Sequence, residues 1–334
     1  MTAAVIFGCA GTAITEEEKA FFRDVDPLGF ILFARNVADP DQMRRLTDDL
    51  RASIGRDDAP ILIDQEGGRV ARLRPPHWRT MPAAATFGDL AQVDRARAAQ
   101  AVRINHELLA GELRAIGITV DCTPCLDLKR PETTTAIGDR AFAADPHLVA
   151  DLGRAAAEGL LAGGVIPVIK HMPGHGRATL DSHLDLPHID ADFDDLAESD
   201  FVPFRKLNDL PWGITAHLVY RAIDPEKPAT LSARVIDEVI RGEIGFTGLL
   251  ISDDMSMKAL QGSLDRLAAD LLAAGCDVAL HCNGKMEEMR LVASGCAPLS
   301  AAATLRYERG RQRVNRDPDF DPDDLAEELA ELIG

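Results

Sequence analysis

Eight short apolar runs, rich in valine and isoleucine, recur along the chain, and a longer stretch with helical spacing follows most of them. Strands that alternate with helices are typical of parallel α/β folds, and eight strands is the number that closes a TIM-type barrel. A chain of 334 residues suits one such barrel. We therefore predict an α/β fold, a single (β/α)8 barrel over residues 1–334 with some irregular strands, built on Ala4–Gly8, Gly29–Phe33, Pro60–Ile63, Thr119–Cys122, Val165–Ile169, Gly213–Ala216, Gly248–Ile251 and Val278–His281.

The stretches between these runs favour helices. In Ala96–Ile116, residues Ala101, Ile104 and Leu108 repeat at a spacing that places them on one face, which should pack against the barrel. The acidic segment 317–331 has interspersed leucines and predicts a peripheral helix rather than a second domain. Further helices are expected over Gln42–Ile54, Pro146–Ala162, Ser232–Ile244, Leu264–Ala274 and Ala301–Val314.

The charge of the chain argues against two classes of partner. With 54 acidic and 36 basic side chains, the formal net charge is −18, which repels the phosphates of nucleic acids and of anionic lipids. The N-terminus lacks the pattern of a signal peptide, and no apolar run approaches the roughly 18 residues of a membrane span. We expect a cytoplasmic monomer with no nucleic-acid and no membrane partner.

The six cysteines lie mostly within or beside apolar strand-like runs, as expected in a reducing compartment. Cys122 and Cys125 have CxxC spacing, but their segment runs from a strand into a loop, and no second CxxC follows. A redox motif would lie at the start of a helix, and a structural zinc site would need further ligands. We therefore predict no cofactor and no metal.

Polar and charged side chains come directly after several of the predicted strands. The active site of an α/β barrel lies at the carboxyl ends of its strands, so these side chains should meet at one mouth. Gathering charge in one cavity costs free energy that folding alone does not require. The segments concerned are Asp64–Arg72, Gly138–Arg140, Lys170–Gly176 with Asp181–His183, His217 and Asp253–Met257.

Taken in order, these segments resemble glycoside hydrolase family 3, and within it the bacterial β-N-acetylglucosaminidase branch. The run Lys170–Gly176 followed by Asp181–His183 is highly specific to that family, with Met172 in place of the usual phenylalanine. The similarity covers nearly the whole chain, from Gly29–Asn36 to Ser252–Met257. It implies a retaining, exo-acting enzyme that removes terminal N-acetylglucosamine from muropeptide fragments, including the anhydromuramic disaccharide, in peptidoglycan recycling.

The resemblance also implies roles for individual residues. Asp253 is implied to be the nucleophile, and His183 the general acid/base with Asp181 behind it. Strand alternation would place Asp253 and Asp254 on opposite sides, so only one of them is expected to face the mouth. The residues implied to hold the N-acetylglucosamine unit are Asp64, Arg72, Arg140, Lys170 and His171.

These residue types suit the reaction. A retaining glycosidase needs one carboxylate to attack the anomeric carbon and a second group that donates and then retrieves a proton. Imidazole titrates near neutral pH and can be that second group when an aspartate orients it, as Asp181 could orient His183. The chain has only two tryptophans and two tyrosines, so a long aromatic platform is not expected. The expected partner is a small soluble saccharide.

Three alternatives stay open. A non-catalytic sugar-binding barrel is disfavoured because Asp253, Asp181 and His183 are all present. A glycoside phosphorylase would use phosphate instead of water in its second step, and a histidine acid/base suits that anion. A metal-dependent hydrolase would use histidines as zinc ligands, although HxH and HExxH pairs are absent from the sequence. The histidines available for it are His171, His175, His183, His188, His217 and His281.

Overall fold

The computed structural model describes residues 1–131, 133–180 and 186–334. Its strands in chain order are β1 (Ala3–Gly8), β2 (Pro27–Leu32), β3 (Ile61–Ile63), β4 (Val120–Asp121), β5 (Ile166–Met172), β6 (His188–Ile189), β7 (Trp212–Thr215), β8 (Val219–Tyr220), β9 (Leu249–Asp254) and β10 (Val278–His281). Eight of these strands close a parallel barrel in the order β1-β2-β3-β4-β5-β7-β9-β10, while β6 and β8 pair outside it. The predicted (β/α)8 fold is confirmed, with each predicted strand found within a few residues of its expected bounds.

Helices surround the barrel. They are α1 (Glu16–Val25), α2 (Pro40–Ile54), α3 (Ala84–Val93), α4 (Arg95–Arg114), α5 (Pro146–Ala162), α6 (Phe193–Glu198), α7 (Val202–Lys206), α8 (Leu264–Ala274), α9 (Met286–Gly295), α10 (Ala301–Gln312) and α11 (Pro322–Ile333), with a π-helical segment at Val235–Glu243. The sequence prediction missed α1, although Thr15 and Glu18 form a capping box at its start. None of the helices in the described ranges is both long and apolar enough to cross a lipid bilayer.

The end of the chain lies against the helical layer. Proline at the first position of α11 and the cap from Asp321, whose carboxylate accepts the Asp323 N–H at 2.9 Å, begin this helix later than residue 317. The helix packs against α4, where Gln100 Nε2 donates to Glu328 Oε1 at 2.6 Å. The acidic helix is therefore peripheral to the barrel.

The core has two layers. One lies inside the barrel, and the other lies between the strands and the helices. Tyr307 of α10 packs on Trp212 at the start of β7, with ring centroids 6.0 Å apart. Since parallel strands all point the same way, this contact closes the amino-terminal end of the barrel and leaves the carboxyl end for a site.

Two β-bulges change which side chains reach that end. From Ile169 to Met172, β5 advances three residues while its partner β7 advances two. From Ile251 to Asp254, β9 advances three residues while its partner β10 advances two. An extra residue breaks the alternation of side chains between the two faces of a strand. The polar pairs at the ends of β5 and β9 therefore belong to bulged strands, not to the loops in which the sequence analysis placed them.

Candidate active site

A cavity of about 390 Å³ opens at the carboxyl ends of the barrel strands. Phe33 and Val70 provide part of its apolar wall, and Arg72 lies over the Phe33 ring at 5.2 Å from the centroid. All five residues predicted to hold the sugar line this cavity, as does Asp253. The acidic, basic and histidine residues of its wall are Asp64, Glu66, Arg69, Arg72, Arg140, Lys170, His171, Asp253 and Asp254.

Lys170 is the centre of a buried ionic network. Its Nζ lies 2.7 Å from Asp64 Oδ1 and 2.6 Å from Glu66 Oε1. Arg140 forms a two-pronged pair with Glu66 at 2.8 and 2.9 Å, and Arg72 lies 3.3 Å from Asp64. The carboxylates of Asp64 and Glu66 therefore stay ionised, and the cations that hold them also face the cavity.

The charges in this network determine its protonation. Burial alone raises the pKa of Asp64, but Lys170 and Arg72 outweigh it and lower that pKa to about 2. The same competition, with Arg140 and Lys170 as the cations, lowers the pKa of Glu66 to about 2. Sequence reasoning left Glu66 out of the site, although its place two residues after Asp64 in the first polar segment could have indicated it.

Asp127 orients His171, and this is a second residue that the sequence analysis missed. His171 Nδ1 lies 2.7 Å from Asp127 Oδ2, so this nitrogen carries the proton that the carboxylate accepts. The backbone N–H of His175 donates to the other Asp127 oxygen at 2.6 Å. The remaining ring nitrogen, His171 Nε2, lies 3.4 Å from Arg140 Nη2. A hydrogen-bonded aspartate thus sets the tautomer of a cavity-lining histidine.

Within the described ranges, one group of three side chains has donor atoms close enough to hold a metal ion. Cys125, Asp127 and His171 place these atoms within 4.8 Å of one another, and zinc takes such ligands. Hydrogen bonds already join them, since Cys125 Sγ donates to Asp127 Oδ2 at 3.2 Å. The Arg140 cation beside His171 opposes a further positive charge, so the geometry favours a hydrogen-bonded support for His171.

Asp253 and Asp254 both line the cavity, so the expectation that only one would face the mouth is wrong. The bulge in β9 is the physical reason. The Asp254 carboxylate accepts bonds from the Ser256 hydroxyl at 2.6 Å, the Ser256 N–H at 3.0 Å and the Cys282 N–H at 3.1 Å. Asp253 Oδ1 accepts the Asp254 N–H at 2.8 Å. Asp254 is therefore bound into the wall, while Asp253 is the better placed of the two to react.

Asp253 is held in its ionised form. Burial raises the pKa of its carboxyl, but the His171 and His217 imidazoles and the Asp254 N–H bond more than offset that effect and leave it below the ordinary value. The predicted acid/base pair, Asp181 and His183, lies outside the described residues.

Comparison with known proteins assigns the chain to a family. The model of the glycosyl hydrolase family 3 N terminal domain matches residues 5–311. A β-hexosaminidase of Alkalilimnicola ehrlichii is 42% identical over 286 residues, which cover 84% of this chain and 80% of that protein. Native NagZ from Neisseria gonorrhoeae has a TM-score of 0.87 at 32% identity, with 100% of this chain and 98% of that one covered. NagZ of the same organism in complex with N-trifluoroacetyl-D-glucosamine gives 0.87 at 31% identity, covering 99% and 97%.

The protein is a glycoside hydrolase, as its matches to this family and its charged barrel mouth indicate. The chain belongs to glycoside hydrolase family 3. Within that family it is a β-N-acetylhexosaminidase of the NagZ type.

Proposed function

We propose that the chain is a retaining exo-β-N-acetylglucosaminidase in which Asp253 attacks the anomeric carbon. The observation that carries this proposal is the position of Asp253, an ionised carboxylate at the end of β9 in the wall of the cavity at the barrel mouth. Attack forms a bond between a carboxylate oxygen and the anomeric carbon and expels the aglycone oxygen. Water then releases the sugar with its β configuration restored.

The ionic network of the cavity would bind the sugar. Asp64 can accept hydrogen bonds from sugar hydroxyls, and Lys170 and Arg72 can donate hydrogen bonds to them. Arg140, from the segment between β4 and α5, and His171, next to Lys170 on β5, would complete the subsite. Because each of these groups is already held by a partner, its position is fixed before the substrate arrives, which limits the entropy lost on binding. Support for N-acetylglucosamine as the sugar comes from the complex of the gonococcal relative with its N-trifluoroacetyl analogue.

His183 would protonate the departing oxygen and then take a proton from the attacking water, with Asp181 orienting its ring. A histidine is neutral after it donates its proton, whereas a carboxylate acid becomes negative. The imidazole would therefore repel an anionic aglycone less. This property suits muropeptide fragments, which carry a lactate carboxylate and acidic peptides, as substrates in peptidoglycan recycling.

We further propose that residues 1–334 work as one catalytic domain, as a monomer in the cytoplasm. The packing of α11 against α4 supports a single domain, because it joins the end of the chain to the helical layer of the barrel. Removal of residues 317–334 should leave kcat/KM within about twofold of the intact enzyme while lowering the unfolding temperature. Light scattering after gel filtration of the intact chain should give the mass of one chain, 36.1 kDa.

The test is hydrolysis of a dinitrophenyl N-acetyl-β-glucosaminide by the wild type, Asp253→Ala and His183→Ala, with the first sugar product followed by NMR. We expect the β anomer to form first, loss of turnover in Asp253→Ala, and a smaller loss in His183→Ala because this leaving group needs little protonation. Release of N-acetylglucosamine from a purified muropeptide, compared with chitobiose, tests the substrate class.

Two additions to the same assay test the alternatives. A chelator that abolishes wild-type turnover would indicate a metal-dependent hydrolase. Phosphate that accelerates turnover and yields N-acetylglucosamine 1-phosphate would indicate a phosphorylase. Full activity of Asp253→Ala would exclude the proposed nucleophile in either case.

A further inference from the structure

His217 lies beyond the end of β7, the strand between the two bulged strands β5 and β9. It comes two residues after β7, the strand that pairs with both β5 and β9. The side chain is fully buried, and both ring nitrogens have partners. Nε2 lies 3.1 Å from the Asp254 carbonyl oxygen, and Nδ1 lies 2.7 Å from the Thr230 hydroxyl. The two partners hold the ring in one orientation.

The chemistry of these partners sets the direction of each bond. A carbonyl oxygen only accepts, so Nε2 must carry a proton and donate it to Asp254. Burial lowers the pKa of His217, although the charges of Asp253 and Asp254 act against it and His171 acts with it. In the neutral ring, Nδ1 at 2.7 Å accepts the hydrogen bond of the Thr230 hydroxyl in preference to the Ala216 carbonyl at 3.1 Å. The Thr215 hydroxyl, 2.8 Å away, can then donate to Thr230. The ring is therefore a defined donor towards β9.

Residue 254 links this histidine to the reacting carboxylate. Its carbonyl accepts from His217 and its N–H donates to Asp253 Oδ1 at 2.8 Å. Its side chain is fixed separately, by Ser256 and by the Cys282 N–H. A bulged strand lacks the regular ladder that usually fixes its backbone. The bond from His217 holds the strand at the point where the regular pairing stops.

We propose that His217 is a positioning residue for the nucleophile, acting through the backbone of Asp254 on the carboxylate of Asp253. It performs this task as a hydrogen-bond donor to the Asp254 carbonyl oxygen. The inference rests on the proposed role of Asp253. It assigns to His217 no contact with the sugar.

The test compares His217→Gln with His217→Asn. The amide nitrogen of glutamine can reach the place of Nε2 and donate to the Asp254 carbonyl, whereas that of asparagine reaches only the place of Nδ1. Thr230→Val keeps the imidazole and removes the hydroxyl that orients it. His147→Asn, the same substitution at an exposed helical position, is the matched control. The readouts are kcat/KM for the dinitrophenyl glycoside, which reports the glycosylation step, and the inhibition constant of N-acetylglucosamine.

We expect kcat/KM to fall by about 10- to 100-fold in His217→Asn, since a displacement of about 1 Å can cost about 100-fold in rate. Glutamine should restore the rate to within about fivefold of the wild type, and Thr230→Val should fall between the two. The inhibition constant of N-acetylglucosamine should stay within about twofold throughout, because the cavity wall that binds the sugar is not altered.

Equal rates for the wild type and His217→Asn would overturn the proposal, as would equal losses in the asparagine and glutamine variants. A parallel weakening of N-acetylglucosamine binding would also overturn it, because the role would then be structural. The activity of Asp253→Ala tests independently whether Asp253 is the nucleophile. If that variant is inactive while His217→Asn is fully active, the nucleophile stands and the positioning role fails.

Discussion

Asp121, at the end of β4, offers a test of the electrostatics beneath the cavity. Its side chain is fully buried, and its Oδ1 accepts the Gln65 N–H at 2.9 Å. Burial raises the pKa of this carboxyl to about 8, against the lowering effects of the Gln65 bond and of Lys170. The neighbouring carboxylates Asp64 and Glu66 contribute to this increase. The group is therefore protonated in the folded enzyme at neutral pH, unlike the two carboxylates above it.

The replacement Asp121→Asn keeps the oxygen that Gln65 needs and removes the titration. An ordinary aspartate loses its proton near pH 3.8, so between that value and about 8 the folded state binds one proton more than the unfolded state. Stability of the wild type therefore falls as pH rises, by about 1.4 kcal/mol for each pH unit and by about 6 kcal/mol over the whole interval. The asparagine variant lacks this loss.

The free energy of unfolding should be measured in urea for both proteins from pH 5 to pH 8. The difference between them removes contributions from every other titrating group. We expect Asp121→Asn to gain stability relative to the wild type as pH rises, with a slope near 1.4 kcal/mol per pH unit. Asp57→Asn, at an exposed carboxyl, is the control and should show no such slope. A constant difference across the pH range would show that Asp121 is ionised in the folded enzyme, and the reasoning would fail.

Three further predictions concern the cavity. Lys170→Met should lower the free energy of unfolding by about 3–5 kcal/mol, because it leaves Asp64 and Glu66 buried without their shared cation; adding Glu66→Gln should recover part of this loss in the same urea titration, and no recovery would argue against the coupling. Arg140→Lys cannot form the two-pronged pair with Glu66, so KM for the aryl glycoside should rise about tenfold, and an unchanged KM would remove Arg140 from the sugar site. His183→Glu should reduce kcat/KM for a muropeptide more than for a neutral aryl glycoside, whereas equal losses would exclude the charge argument for the histidine.

The fold could be predicted from the sequence because its determinants are local and periodic. Apolar runs bounded by polar residues locate all eight barrel strands, and a covered parallel sheet requires such runs. Irregular helices are harder to predict from the sequence. The segment predicted as a helix from Ser232 is π-helical from Val235, and the Ser232 hydroxyl accepts the Val235 N–H at 3.1 Å. Apolar spacing alone does not distinguish these conformations.

The site was only partly predictable, for a reason that lies in pairing between strands. The sequence placed Asp64, Arg72, Arg140, Lys170, His171 and Asp253 at one mouth, and they all line one cavity. It missed Asp127 and Glu66, which act through contacts with residues 44 and 74 positions away. Such contacts depend on the closure of the barrel. The hydrophobic pattern of one segment carries no information about them.

The two bulges explain how adjacent residues of one strand can serve the same cavity. Regular alternation would turn either Lys170 or His171 towards the helices, and either Asp253 or Asp254 likewise. An inserted residue in β5 and another in β9 bring both members of each pair to the mouth. β7 lies between these two strands and keeps regular pairing with β9 as far as Ile251, so the distortion is confined to the carboxyl end. The barrel thus keeps an ordered base beneath a mouth with more charged side chains than strict alternation allows, and His217, just past the end of β7, contacts the distorted end of β9 directly.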